Sequence, residues 1–185
     1  MKHLFYVHSY ITYLVSLKII SSKGLLKSEC ILLTNRKLVI SDDIAAHSID
    51  DFTSVDAIPI SSNLVSSWKT LRTIDLFIRT ITSGDSYYLY LPNTRSRFSA
   101  VLITNKKCVG FNFIEEGLAS YYPIQEINNN VKSRTYSLKE KINRYLCYGG
   151  RLRNLQFFDS NYESVYGISE YSFPEFRNRV ILKDY

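Results

Sequence analysis

The sequence is poor in the residues that make tight turns, covalent staples and metal sites: 7 Gly, 4 Pro, 3 Cys and 3 His among 185 residues. Cys30, Cys108 and Cys147 are odd in number and form no CxxC pair. That removes a disulfide framework and a structural zinc site, and it points to a reducing compartment. Cys30 and Cys108 stand in or beside apolar runs, where free cysteine behaves as a small buried hydrophobe. The few glycines build no GxGxxG behind the first apolar run and no GxxxxGKS/T, so the usual dinucleotide fingerprint and the P-loop are both excluded. No GxSxG elbow occurs. The histidines, His3, His8 and His47, do not fall at metal-ligand spacing. No apolar run is long enough to span a membrane. The stretch 4–20 is broken by His8, Ser9, Thr12 and Lys18, and no small-residue cleavage pattern follows it. A buried strand followed by a buried helix is the stronger reading of that stretch.

What is present is a folded-protein composition. Apolar residues make up 45% and charged residues 22%, which excludes a disordered chain. Length and composition fit one domain with a real core, but not two full-sized domains. Fifteen Tyr and ten Phe supply rings that can be buried, and the tyrosines also bring a polar tip. The formal net charge is +6, and it is concentrated: Lys132, Arg134, Lys139, Lys141, Arg144, Arg151 and Arg153 face only Glu140 within 131–153. Such a stretch is either a solvated helix or a surface for an anionic partner, whether sugar acid, phosphate, nucleic acid or lipid headgroup. No nucleic-acid motif accompanies it, so nucleic acid is not expected. An anionic membrane surface remains open as a partner.

Periodicity organises the chain as an α/β fold. A strand is expected over 3–7 (HLFYV), then a helix over 10–21 capped by Ser9, with Gly24 near its end. The run 30–34 (CILLT) reads as a strand buried on both faces. The segment 42–56 is polar and mixed, and a short third strand is expected over 57–60, made irregular by Pro59. Over 64–81, Leu64, Trp68, Leu71, Ile74, Ile78 and Ile81 recur at spacings of three and four, which predicts an amphipathic helix closed by Gly84. Strands over 87–91 and 108–114 flank a helix capped by Asn93 or Thr94 and running to about 105. A basic helix follows over 137–148, ended by Gly149 and Gly150, then a strand over 164–168 and a charged tail. Strands alternating with helices imply a Rossmann-like parallel sheet flanked by helices, with the first strand placed centrally.

Ligands of open parallel sheets bind beyond the carboxyl ends of the strands. Three such ends carry polar residues: His8–Ser9, Pro92–Asn93–Thr94 and Glu115–Glu116–Gly117. The last follows the apolar run FNFI directly. Two neighbouring carboxylates raise one pKa and so suit acid–base chemistry, and Gly117 permits a tight turn. The same residues also read as an acidic helix start. His8 can bind an anion or orient a substrate, or can simply be a hydrogen-bonded loop histidine.

The stretch 109–121, VGFNFIEEGLASY, resembles the acidic-motif region of bacterial sialyltransferases, in the lipooligosaccharide sialyltransferase and capsular polysialyltransferase families. Those enzymes place two acidic residues and a glycine after a strand, matched here by Glu115, Glu116 and Gly117. Leu118, Ser120 and Tyr121 fit as well, and the segments 3–20 and 91–93 resemble the start of that fold. The resemblance implies the N-terminal, acceptor-side domain of a GT-B glycosyltransferase. Glu115 would be the general base and Glu116 its support, with His8, Ser9, Asn93 and Gly117 around the acceptor. An intact enzyme would hold CMP-sialic acid in a C-terminal donor-binding domain carrying a His-Pro motif. This sequence has no His-Pro pair, so the resemblance covers the N-terminal half only and the chain is expected to be inactive alone. No cofactor and no metal are implied. A glycan acceptor is the implied partner, and the setting is cytoplasmic, peripheral to the inner face of the cytoplasmic membrane. The alternative is a non-catalytic glycan- or anion-binding domain of the same fold.

Overall fold

The structure, a computed structural model, describes residues 1–36, 38, 40, 43–53, 57–58, 63–130, 137–152 and 155–183. The strands are β1 (Lys2–Val7), β2 (Cys30–Thr34), β3 (Ala45–Ser48), β4 (Tyr87–Leu91), β5 (Cys108–Ile114), β6 (Val165–Gly167) and β7 (Arg179–Ile181). The helices are α1 (Tyr10–Ser22), α2 (Asp50–Thr53), α3 (Leu64–Ile81), α4 (Arg97–Ile103), α5 (Ile124–Asn130) and α6 (Leu138–Tyr148). The strands form one sheet in the order β3-β2-β1-β4-β5-β6-β7. Every pairing is parallel.

The sheet interior is apolar because both its faces are covered. All five residues of β2 are buried, as continuous branched runs in parallel sheets require. Alternation along each strand divides the core in two. Leu4, Leu33, Leu89, Phe111 and Phe113 point to a face covered by α3, α4 and α6, which contribute Ile74, Ile78, Val101 and Tyr148. Phe5, Leu32, Tyr90 and Ile114 point to the other face, where α1 lays Val15, Ile19 and Ile20 on them.

Helix ends follow local chemistry. Ser9 caps α1 in a reciprocal capping box with Thr12, and Ser137 does the same for α6 with Glu140. Gly149 closes α6 in the left-handed conformation that glycine adopts without penalty.

Three local expectations are corrected. The third strand lies at β3, inside the segment read as polar and mixed, while Ala57 and Ile58 sit in a turn. Pro59 and Ile60 fall outside the described residues. β3 pairs with β2 through its backbone although Ala45 and Ala46 are exposed, so no apolar pattern marks it. The cap of α4 is Ser96, whose hydroxyl accepts from the amide of Ser99 at 2.9 Å, because Asn93 and Thr94 are held elsewhere. The expected charged tail contains β7, which extends the sheet beyond β6. The order also puts β4 at the midpoint, with β1 beside it.

Candidate functional site at the carboxyl rim

In a wholly parallel sheet every carboxyl end opens on one rim. The chain leaves β1 toward β2 on one side and leaves β4 toward β5 on the other. The β1/β4 boundary is therefore the point where the strand order reverses, the position at which open parallel sheets hold their ligands. His8 and Ser9 follow β1, Asn93 follows β4, and Glu115, Glu116 and Gly117 follow β5.

Glu116 is where these residues meet. Its Oε2 lies 3.3 Å from Nε2 of His8, and Asn93 Nδ2 donates to both of its carboxylate oxygens at 3.3 Å. All three contacts are at the long end of hydrogen-bond geometry. The His8 and Glu116 side chains keep 17% and 14% of their surface exposed, so the pair is sheltered but reachable. The Glu116 amide donates to Ser120 Oγ at 3.2 Å, and the Ser120 carbonyl accepts from the Phe173 amide. Gly117 makes the turn at φ 144° and ψ −146°, a conformation essentially reserved for glycine.

Glu115 has a different setting. It lies on the same face as Phe111 and Phe113 and is only 2% exposed. Its amide continues the ladder to the Tyr166 carbonyl. Its Oε1 accepts from the Tyr121 hydroxyl at 2.5 Å and its Oε2 from the Ile168 amide at 2.8 Å. The hydrogen bond to Glu115, with burial and the carboxylate's charge, holds the Tyr121 hydroxyl above its ordinary pKa. Glu115 thus ties the end of β5 to the segment leaving β6. Consecutive residues at a strand end point oppositely, and here the first carboxylate goes inward and the second toward the rim.

Ser9 is at the rim, but its hydroxyl is engaged with Thr12 as the cap of α1. The loop carrying Asn93 is fixed by Thr94. Its hydroxyl donates to the Gln156 carbonyl at 2.6 Å and its amide donates to the Phe157 carbonyl at 2.8 Å.

Two residues not singled out from the sequence belong to the same rim. Asn35 follows β2 and donates from Nδ2 to the Tyr6 hydroxyl at 3.3 Å, while its buried Oδ1 has no partner among the described residues. Burial is the main cause that pushes Tyr6 up to about 12. The Tyr6 ring stands edge-on to His8 with centroids 6.1 Å apart. The carboxyl-end rule that selected Asn93 applies equally to Asn35, and strand alternation places Tyr6 two residues before His8 on one face.

Cys30 and Cys108 are poor nucleophiles: burial pushes the Cys30 thiol up to about 11 and Cys108 up to about 12. Among the described residues no three of His, Cys, Asp and Glu are grouped as a metal site needs. Also among them, no helix is long and apolar enough to cross a membrane. Two cavities of about 440 and 420 Å³ lie away from this rim, against α3 and the turn after α6. Cavity size alone would point there, but the convergent polar groups are at the rim. Comparison with family models, with curated proteins and with solved structures finds no match.

Proposed function

We propose that the chain holds a glycan acceptor at the carboxyl rim over the β1/β4 boundary, as the acceptor-side domain of an inverting, sialyltransferase-like glycosyltransferase. The observation that carries this reading is the convergence of His8, Asn93 and Glu116 at the switch point of a Rossmann-type sheet. Glu116 is the carboxylate placed for proton transfer, and Glu115 supports the turn that presents it. In the intact reaction an acceptor hydroxyl attacks the anomeric carbon of a CMP-activated sugar acid. The hydroxyl proton passes to Glu116, the bond from the anomeric carbon to the phosphate oxygen breaks, and CMP leaves with the electron pair. His8 and Asn93 orient the carboxylate. The donor belongs to a separate C-terminal domain of the intact enzyme.

A second reading is non-catalytic glycan binding at the same rim. It is favoured by the engagement of both Glu116 oxygens, which makes the carboxylate a fixed polar floor.

Saturation-transfer NMR of the full chain with bacterial surface oligosaccharides tests both readings. Binding is expected, and Glu116→Gln should weaken it at least ~10-fold, the worth of a hydrogen bond to a charged group. With CMP-sialic acid added, this chain alone should give no transfer. Absence of glycan binding, or binding indifferent to Glu116, His8 and Asn93, refutes the site. Turnover by the chain alone refutes the division into two domains.

A further inference from the structure

Helices α3 and α6 pack side by side on one face of the sheet, and their outer surfaces are apolar where solvent-facing helices are normally polar. On α6 the buried side is Arg144, Cys147 and Tyr148. On the side away from it, Leu138, Ile142, Tyr145 and Leu146 recur at helical spacing and are all more than half exposed. On α3, Val65, Trp68 and Leu76 form a second exposed stripe, with Trp68 at 64% exposure. A groove of about 440 Å³ beside Tyr148 is lined on the α3 side by Trp68, Leu71, Leu76, Arg72 and Arg79.

Cations are interleaved with these apolar groups. Lys69, Arg72 and Arg79 on α3 and Lys139 and Lys141 on α6 are exposed. Of the acidic residues on the two helices, Asp75 is paired with Arg151 and Glu140 is engaged in the α6 cap. The face is thus apolar and cationic at once.

We infer that this α3–α6 face docks on an anionic lipid bilayer. A second copy of the chain is disfavoured because a twofold contact would bring the same cations together in a chain already at +6. A protein partner fits less well because protein interfaces deplete lysine, whereas helices lying in the membrane interface combine lysine and arginine with tryptophan and leucine. Aliphatic and aromatic tips enter the headgroup boundary, and the long cationic stems reach the lipid phosphates. The inference does not depend on the chemistry at the rim.

Trp68 is the only tryptophan, so its fluorescence reports on the face directly. The full chain is mixed with vesicles of neutral phosphatidylcholine, or with vesicles containing roughly a third phosphatidylglycerol, as an anionic leaflet would. Cosedimentation with the anionic vesicles and a blue shift of Trp68 emission are expected, both weakening as salt is raised. Lys139→Gln with Lys141→Gln should lower partitioning about 25-fold, roughly five-fold for each cation. Leu146→Ser should reduce the blue shift while circular dichroism stays native. Glu116→Gln at the rim should leave partitioning unchanged. Equal binding to neutral vesicles, or no binding to anionic ones, overturns the inference. So does a dimer in sedimentation equilibrium that Leu146→Ser dissolves.

Discussion

Glu115→Ala is the sharpest test of how the two adjacent carboxylates divide their work. The substitution removes both acceptors that Glu115 presents, one to the Ile168 amide and one to the Tyr121 hydroxyl. The tyrosine is partly exposed and can turn to water. The Ile168 amide loses its carboxylate acceptor at a part-buried position, and a hydrogen bond to a charged group is worth about 1.5–3 kcal/mol. The emptied space at a position only 2% exposed adds a cavity contribution of about 1–2 kcal/mol. A loss of about 3 kcal/mol follows, a large share of the ~5–15 kcal/mol that stabilises an ordinary domain. Glu115→Gln should cost only about 1 kcal/mol, because its carbonyl accepts from Ile168 and its amide donates to a reoriented Tyr121 hydroxyl. Glu116→Ala leaves no buried backbone donor unpaired and should cost under about 1 kcal/mol. Urea unfolding followed by far-ultraviolet circular dichroism measures all three, with the slope m checking that the unfolded state is unchanged. If Glu116→Ala proves the more destabilising, the inward and outward carboxylates have been assigned the wrong way round.

Gly167→Ala tests the packing behind the same carboxylate. A Cβ there would stand 1.8 Å from Ser172 Oγ, 2.8 Å from Ser172 Cβ and 3.1 Å from Glu115 Oε2, so a loss of about 1–3 kcal/mol is expected. Ser172→Gly on the same background should restore part of it. Gly110→Ala, whose nearest atoms are the movable end of Glu163, should cost less, and equal costs at the two glycines would show that the contact is not what matters. His3 is held below its ordinary pKa of 6.5 by burial and secondly by Lys23, so the unfolded chain binds the proton more readily than the folded one. Its contribution to stability is therefore present above pH ~6.5 and declines as the pH falls below that value. Unfolding free energies measured from pH 8 down to 5 should show this decline, and His3→Gln should remove that part of it; an unchanged slope would refute the assignment.

The parallel sheet is legible because its interior strands advertise themselves. LFYV, CILLT and the aromatic run YYLYL are continuous stretches, and FNFI is interrupted only by Asn112; only a sheet covered on both faces can bury them. The spacing of Trp68, Leu71, Ile74 and Ile78 leaves no alternative to a helix. The edges are illegible for the opposite reason. β3 is held mainly by backbone pairing, with two exposed alanines and the His47 ring edge-on to Phe77. Most of β7 is exposed, so Arg179 and Val180 carry no burial pattern. The rule of strand carboxyl ends picks out His8, Asn93 and both glutamates, and His8, Asn93 and Glu116 are in contact. Which glutamate turns inward depends on the segment after β6, some fifty residues along the chain, whose Ile168 amide captures Glu115. No local pattern announces that contact. Asn35 carries the same signal as Asn93, a polar residue directly after a buried strand, but not the paired acids or the histidine that mark the other strand ends.

The pairing of β1 with β4 also bears on how the chain can be made. β1 finds β2 soon after both exist, since His3 lies beside Cys30. Its other edge waits for Tyr87 and the residues that follow, which pair with it from Lys2 onward. On a ribosome adding ~5–20 residues per second, more than fifty residues separate the end of β2 from the start of β4, an interval of roughly 3–10 s. Throughout it β1, buried from His3 to Val7 in the finished fold, presents an unpaired edge, the template on which chains add to one another. Nascent chains are therefore most vulnerable to aggregation before β4 emerges, and a chaperone that shields LFYV needs to act only until then.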